Sequence, residues 1–147
     1  MTPKEVDLVQ SSFAKIAPIG DETGGLFYER LFEIAPDLRP LFRGDMDEQG
    51  RMFMSMLTVA VNGLDAFDSI EPALRELAIR HAGYGVKAEH FASVGAALMW
   101  ILEQSLGADF SDEVRSAWLS VYDALSGVMI EAAYGGAAPS APPPADA

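Results

Sequence analysis

The chain has 147 residues, half of them hydrophobic, a length that fits one domain around one substantial core. It contains no cysteine, which excludes disulfides, thiolate metal sites, iron–sulfur clusters and cysteine nucleophiles. Its 22 acidic against 10 basic side chains give a formal net charge of −12, which repels phosphate backbones and anionic lipid heads and argues against nucleic-acid or membrane-surface binding.

The N-terminus, MTPKEVDLVQ, is charged and amphipathic, without an apolar signal core or a cleavage site, so a cytoplasmic location is the default expectation. Thr2, Pro3 and Glu5 there supply an N-cap, a first-turn residue and a capping-box partner. They open a helix with Val6, Val9, Phe13 and Ile16 on its buried stripe, ended by Pro18 and Gly20. A second helix is predicted over 21–35, with Leu26, Phe27, Leu31 and Ile34 facing inward; Pro36 stops it, and 36–42 suits only a tight turn or a piece of 3₁₀ helix. A third helix over 47–63 has an apolar face unusually wide for a surface helix, formed by Met52, Phe53, Met56, Leu57, Val59 and Ala60.

Asp68 or Ser69 is expected to cap the next helix, where Leu74, Leu77 and His81 recur at intervals of three and four before Gly83 and Gly85. A helix over 87–106 carries Phe91, Val94, Leu98 and Ile101, and Ser111 opens a last one with Val114, Trp118, Val121, Leu125 and Val128 inside. From residue 135 the chain reads GGAAPSAPPPADA, a Pro/Ala-rich composition expected to form a disordered tail after one domain over 1–134. No apolar run approaches the length of a membrane-spanning helix. The fold class expected is all-α, with six or more helices arranged as a non-bundle domain or as a bundle.

The chain has two histidines, His81 and His90, too few for a multi-histidine zinc or copper site. Acidic pairs such as Asp45/Asp47 and Asp112/Glu113 fall at helix starts, where carboxylates favour the macrodipole. Gly24-Gly25 lies in a helical stretch without the surroundings of a phosphate loop. A histidine on an apolar helical face is either a satisfied core residue or a ligand. His81 shares its face with Leu74 and Leu77, and glycines beyond it leave room for a bulky group. A neutral imidazole there needs an acceptor for one nitrogen, which the Leu77 carbonyl can supply, and a partner for the other, such as haem iron. Gln49 and Phe53 share a helical face, and Tyr28 lies among Phe27, Leu31 and Phe32. Tyr28 and Gln49 are either an ordinary core tyrosine and a solvated amide, or two donors that meet over a ligand's oxygen.

LFYERLFEIAPDLRPLF (26–42), QGRMFMSMLTVAVNGL (49–64), LAIRHAGYGVKAEHFASVG (77–95) and the AW…Y run of 117–122 carry a resemblance to the bacterial single-domain globins of the flavohaemoglobin-like group, which is related to neuroglobin. RHxxYGVxxxHFxxVG is specific in that setting. The resemblance implies a globin fold of six to eight helices around a haem pocket, with haem b as cofactor. It implies His81 as the proximal iron ligand, beside Leu77, and Phe42 as the ring stacked on the haem. Tyr28 and Gln49 match distal positions that hydrogen-bond bound ligand, Phe53 the distal apolar residue, and Val86 and Val94 the proximal packing residues. His90 falls where the family often has a histidine outside the iron site and reads as a surface or haem-edge residue. Arg51, Arg80 and Lys87 are candidates to pair with the propionates.

Where flavohaemoglobin-type domains set a tyrosine and a glutamate against the proximal histidine, the matching positions here are Phe91 and Ala133, so strong proximal push and efficient peroxidase behaviour are not expected. Two functions share the same pocket: reversible binding of O2 and other diatomic gases (NO, CO), or nitric oxide dioxygenase activity. With no flavin or nicotinamide domain in this sequence, continuing turnover would require a separate reductase as partner.

Overall fold

Among the described residues six α-helices, α1 (Pro3–Ile16), α2 (Gly20–Ile34), α3 (Met46–Asn62), α4 (Phe67–Gly83), α5 (His90–Leu106) and α6 (Asp112–Tyr134), follow one another with short 3₁₀ turns at Ala17–Ile19, Pro36–Leu41, Leu64–Ala66 and Gly107–Asp109. The computed structural model describes residues 1–42, 44–83 and 85–134, among which there is no strand; the tail expected over 135–147 lies outside the described residues.

Local chemistry starts three of these helices, α1, α3 and α6, where expected. The Thr2 backbone N–H donates to Glu5 Oε1 at 2.8 Å and the Glu5 N–H to Thr2 Oγ1 at 3.2 Å, closing the capping box of α1. Asp45 Oδ1 accepts from the Asp47 N–H at 2.9 Å before α3, and Ser111 Oγ accepts from the Val114 N–H at 3.2 Å before α6. At α4 the expectation fails. Asp68 and Ser69 lie inside a helix that begins at Phe67, and the Ser69 hydroxyl donates back to the Ala66 carbonyl at 2.6 Å instead of capping. α5 begins at His90, later than expected: residues 87–89 form i→i+3 turns, in which the His90 N–H donates to the Lys87 carbonyl at 2.9 Å and the Phe91 N–H to the Ala88 carbonyl at 3.1 Å.

The packing pairs are α2 on α3, α4 on α6, α1 on α6 and α2 on α5. Between α1 and α6, the buried Trp118 Nε1–H donates to Ser12 Oγ at 2.9 Å, and the Ser12 hydroxyl donates to the Leu8 carbonyl at 2.8 Å. Both polar groups are thereby satisfied inside the core. The stretch His90–Asp109 is long and apolar enough by length and composition to cross a membrane, contrary to the sequence expectation; 44% of it is buried inside this fold. Leu98, Ile101 and Leu102 on it are among the most deeply buried residues.

The α2–α3 crossing depends on two glycines. A Cβ added at Gly24 would lie 2.9 Å from Gly50 Cα, and one at Gly50 would lie 3.0 Å from the Gly24 carbonyl carbon, so the backbones meet without side chains between them. This contact rotates α2 away from the expected stripe. Thr23, Gly24, Phe27, Tyr28 and Leu31 are buried, whereas Leu26 and Ile34 face outward. On α3 the fully buried positions are Gly50, Met54 and Val61; Phe53, Leu57 and Ala60 are partly buried, and Met52, Met56 and Val59 are exposed. Gly24→Ala should lower unfolding stability by about 1–3 kcal/mol in urea titration through overpacking, while Gly25→Ala, whose added Cβ meets nothing within 4 Å, should be neutral or slightly stabilising.

Candidate functional site

Gly24 and Gly50 place the next turn of α2 beside the start of α3. Tyr28 lies one turn beyond Gly24, Gln49 immediately precedes Gly50, and Gln49 Nε2 donates to the Tyr28 hydroxyl oxygen at 3.3 Å. The same crossing stacks Phe27 on Phe53, with ring centroids 4.0 Å apart and planes 7° from parallel. Phe42, just past the Pro36–Leu41 turn, meets Tyr28 edge-on at 5.2 Å and Phe32 at 5.3 Å. Tyr28, Gln49 and Phe53, expected at distal positions, therefore form one cluster with Phe42: an amide and a phenol in an aromatic surround. Burial raises the Tyr28 pKa above its ordinary value, opposed by the hydrogen bond from Gln49.

On α4, the stripe Ile70, Leu74 and Ala78 is buried, and Leu77 and His81 lie half-buried at its edge. His81 Nδ1 lies 2.8 Å from the Leu77 carbonyl oxygen. A carbonyl only accepts, so Nδ1 carries the proton and the lone pair of the neutral ring lies on Nε2. Val86 is held close by: its N–H donates to the His81 carbonyl at 3.1 Å, and its own carbonyl accepts from the Tyr134 hydroxyl. Val94 packs partly buried against the core on α5. Phe91 is buried, and its carbonyl accepts from the Tyr122 hydroxyl at 2.6 Å. Arg51, Arg80 and Lys87 are exposed.

His90, expected as a surface or haem-edge residue, is not at the surface: it is 5% exposed. The Lys87 N–H donates to its Nδ1 at 2.9 Å, which puts the ring proton on Nε2, 2.9 Å from Asp37 Oδ2. That hydrogen bond lowers the Asp37 pKa. Sequence reading also missed the parts played by Tyr134 and by the Gly24–Gly50 contact. Tyr134 is the last aromatic before the Gly-Gly of the tail, a position that offered a signal; Asp37 and His90 are 53 residues apart and offered none.

The donor set suits haem. His81 would hold the iron through Nε2, since its Nδ1 is used by the Leu77 carbonyl at 2.8 Å. Gln49, Met52, Phe53 and Met56 recur at three- and four-residue spacing on α3, and the protein's own helices leave Met52 and Met56 exposed. α3 packs chiefly on α2 and α4 chiefly on α6. A flat apolar cofactor between α3 and α4 would cover such a stripe.

Burial raises the pKa values of Tyr28, Tyr122 and Tyr134 alike. A raised folded-state value favours the protonated form, so the stability these phenols contribute is complete below their ordinary value of 10.0 and is lost as pH rises through the folded-state values. Alkaline titration followed by circular dichroism and phenolate absorbance should show the late-ionising tyrosines titrating together with loss of helix.

The chain matches the globin family over residues 25–129. It is similar to neuroglobin of Tetraodon nigroviridis, 29% identical over 143 residues covering 88% of this chain and 90% of that protein. Its similarity to neuroglobin of Chaenocephalus aceratus is 28% over the same coverage. The all-α architecture accords with that match, and the chain belongs to the globin family, whose members generally bind haem and diatomic gases.

Proposed function

We propose that this globin binds haem b through His81 Nε2 and reversibly binds O2 and other diatomic gases on the side of Tyr28 and Gln49. The observation that carries the reading is the His81 Nδ1–H bond to the Leu77 carbonyl at 2.8 Å, which holds the ring as the tautomer a metal requires and fixes its orientation. Haem, when bound, supplies a ferrous centre with affinity for small diatomics. Everything else is the work of the chain. Phe42 and Phe53 keep water away from the bound gas, and Leu77, Val86 and Val94 pack on the histidine side. Because the Tyr28 oxygen already accepts from Gln49, its phenolic proton points away from that amide and donates to the ligand.

Phe91 carries no side-chain donor or acceptor toward His81, and Tyr122 spends its hydroxyl on the Phe91 carbonyl. This supports gas binding over peroxidase chemistry. The Tyr28–Gln49 pair, together with the RHxxYGVxxxHFxxVG run, supports placing the chain with the single-domain globins of the flavohaemoglobin-like group.

Purified protein supplied with haem, reduced and exposed to CO, should show the Soret shift of a histidine-ligated ferrous globin, and His81→Ala should abolish it; a wild-type protein that takes up no haem defeats the reading. A donor hydrogen bond to a polarised ligand contributes about 1.5–3 kcal/mol, so Tyr28→Phe should raise the O2 dissociation rate by about tenfold or more in stopped flow. An unchanged rate removes Tyr28 from ligand stabilisation.

A further inference from the structure

The Pro36–Leu41 turn and the connection between α4 and α5 touch at two independent places. Asp37 Oδ2 accepts from His90 Nε2 at 2.9 Å. Four residues on, Leu41 packs on the left-handed Gly85, where an added Cβ would lie 3.3 Å from Leu41 Cδ2. One contact is polar and one apolar. Each joins the residues leading to Phe42 to the residues following His81.

The polar contact is built for direction. His90 is buried, and both its ring nitrogens are used: Nδ1 accepts from the Lys87 N–H at 2.9 Å and Nε2 donates to the carboxylate. A charge-assisted bond between a buried donor and a carboxylate is stronger than a neutral one. Asp37 itself is 70% exposed by its side chain, so it contributes little to the core and contacts the rest of the fold chiefly through this bond. Its segment is held at the other end by aromatic contacts. Phe42 meets Tyr28 and Phe32, Arg39 lies over the Phe32 ring at 5.4 Å, and Arg39 Nη1 donates to the Phe42 carbonyl at 3.0 Å.

We propose that His90 is a positioning residue for the haem site: with Asp37 it forms a clasp that holds the Phe42 segment against the turn beyond His81, fixing the separation of the two walls and slowing haem loss. The inference rests on the reading of His81 as the haem ligand. It concerns a histidine whose two ring nitrogens are used by Lys87 and Asp37, and which acts through the segments it joins.

The test compares wild-type holoprotein with His90→Leu, His90→Gln, Asp37→Ala and the His90→Leu/Asp37→Ala double variant, timing haem transfer to an excess of an apo-globin acceptor. His90→Leu and Asp37→Ala should each lose haem about tenfold faster, and the double variant no faster than His90→Leu, because a single shared bond is removed. His90→Gln should stay near the wild-type rate, since its amide offers a donor to Asp37 and an acceptor to the Lys87 N–H. Asp37→Ala leaves the buried His90 donor without its acceptor and should lower the urea midpoint, so the control is Thr2→Ala, which loses the α1 cap at comparable cost and should keep the wild-type rate of haem loss, a split that a merely structural role would not produce. Wild-type rates of haem loss in Asp37→Ala, or additive effects in the double variant, overturn the clasp. If the wild-type chain takes up no haem, the proposed function fails separately. The clasp is then read in the haem-free chain by hydrogen exchange at the Phe42 and Gly85 amides, which donate to the Arg39 and Ala82 carbonyls at 3.1 Å. Faster exchange in Asp37→Ala supports it, and equal exchange overturns it.

Discussion

Where α2 crosses α3 at Gly24 and Gly50 there is no room for a side chain, and most of the geometry around Tyr28 and Gln49 is a consequence of that restriction. With Gly24 against Gly50, the helix axes come close enough for Tyr28 to reach Gln49 at 3.3 Å and for Phe27 to stack on Phe53. A larger residue at either glycine would separate the helices by more than a 3.3 Å hydrogen bond can tolerate. The polar pair is therefore a product of backbone contact. The two side chains did not have to find each other across a flexible gap.

The histidine side is organised differently. There the orienting bond is local, from His81 to a carbonyl one turn back on its own helix, and needs no partner element. What the tertiary structure adds is the footing of the following turn. Val86 bridges the His81 carbonyl and the Tyr134 hydroxyl of α6, Gly85 turns the chain, and His90 reaches Asp37. The two walls thus have separate foundations, α3 on α2 and α4 on α6, and short contacts join the turn leading to Phe42 to the residues that follow His81. Two walls on separate supports can accept a flat group between them without unpacking the core.

The acidity of the chain bears on its surroundings more than on this site. Among the described residues no Asp, Glu, Lys or Arg is buried, and the ion pairs such as Lys4–Glu113 and Lys15–Asp109 lie on the surface, where each contributes little to stability. Cohesion comes from the apolar contact of α1, α2, α5 and α6, in which Trp118, Phe27 and Leu31 are among the largest buried side chains.

Periodicity and capping chemistry act within a few residues of sequence, so they are legible without a structure. The capping box at Thr2–Glu5, the inward stripes of α1 and α6, the 3₁₀ character of Pro36–Leu41 and the bond from His81 to Leu77 all belong to that class. The sequence also brought Tyr28, Gln49, Phe53 and Phe42 forward by resemblance, but not the reason they meet. The outward turn of Leu26 and Ile34 depends on a glycine of another helix, and Gly24 seen alone is only a weak spot in α2. The hydrogen-bond partner of the buried His90 is an aspartate 53 residues away. Short-range order follows from the order of residues along the chain; which helix face is inward, and which polar groups find partners across the fold, is decided only when distant backbones come within van der Waals reach.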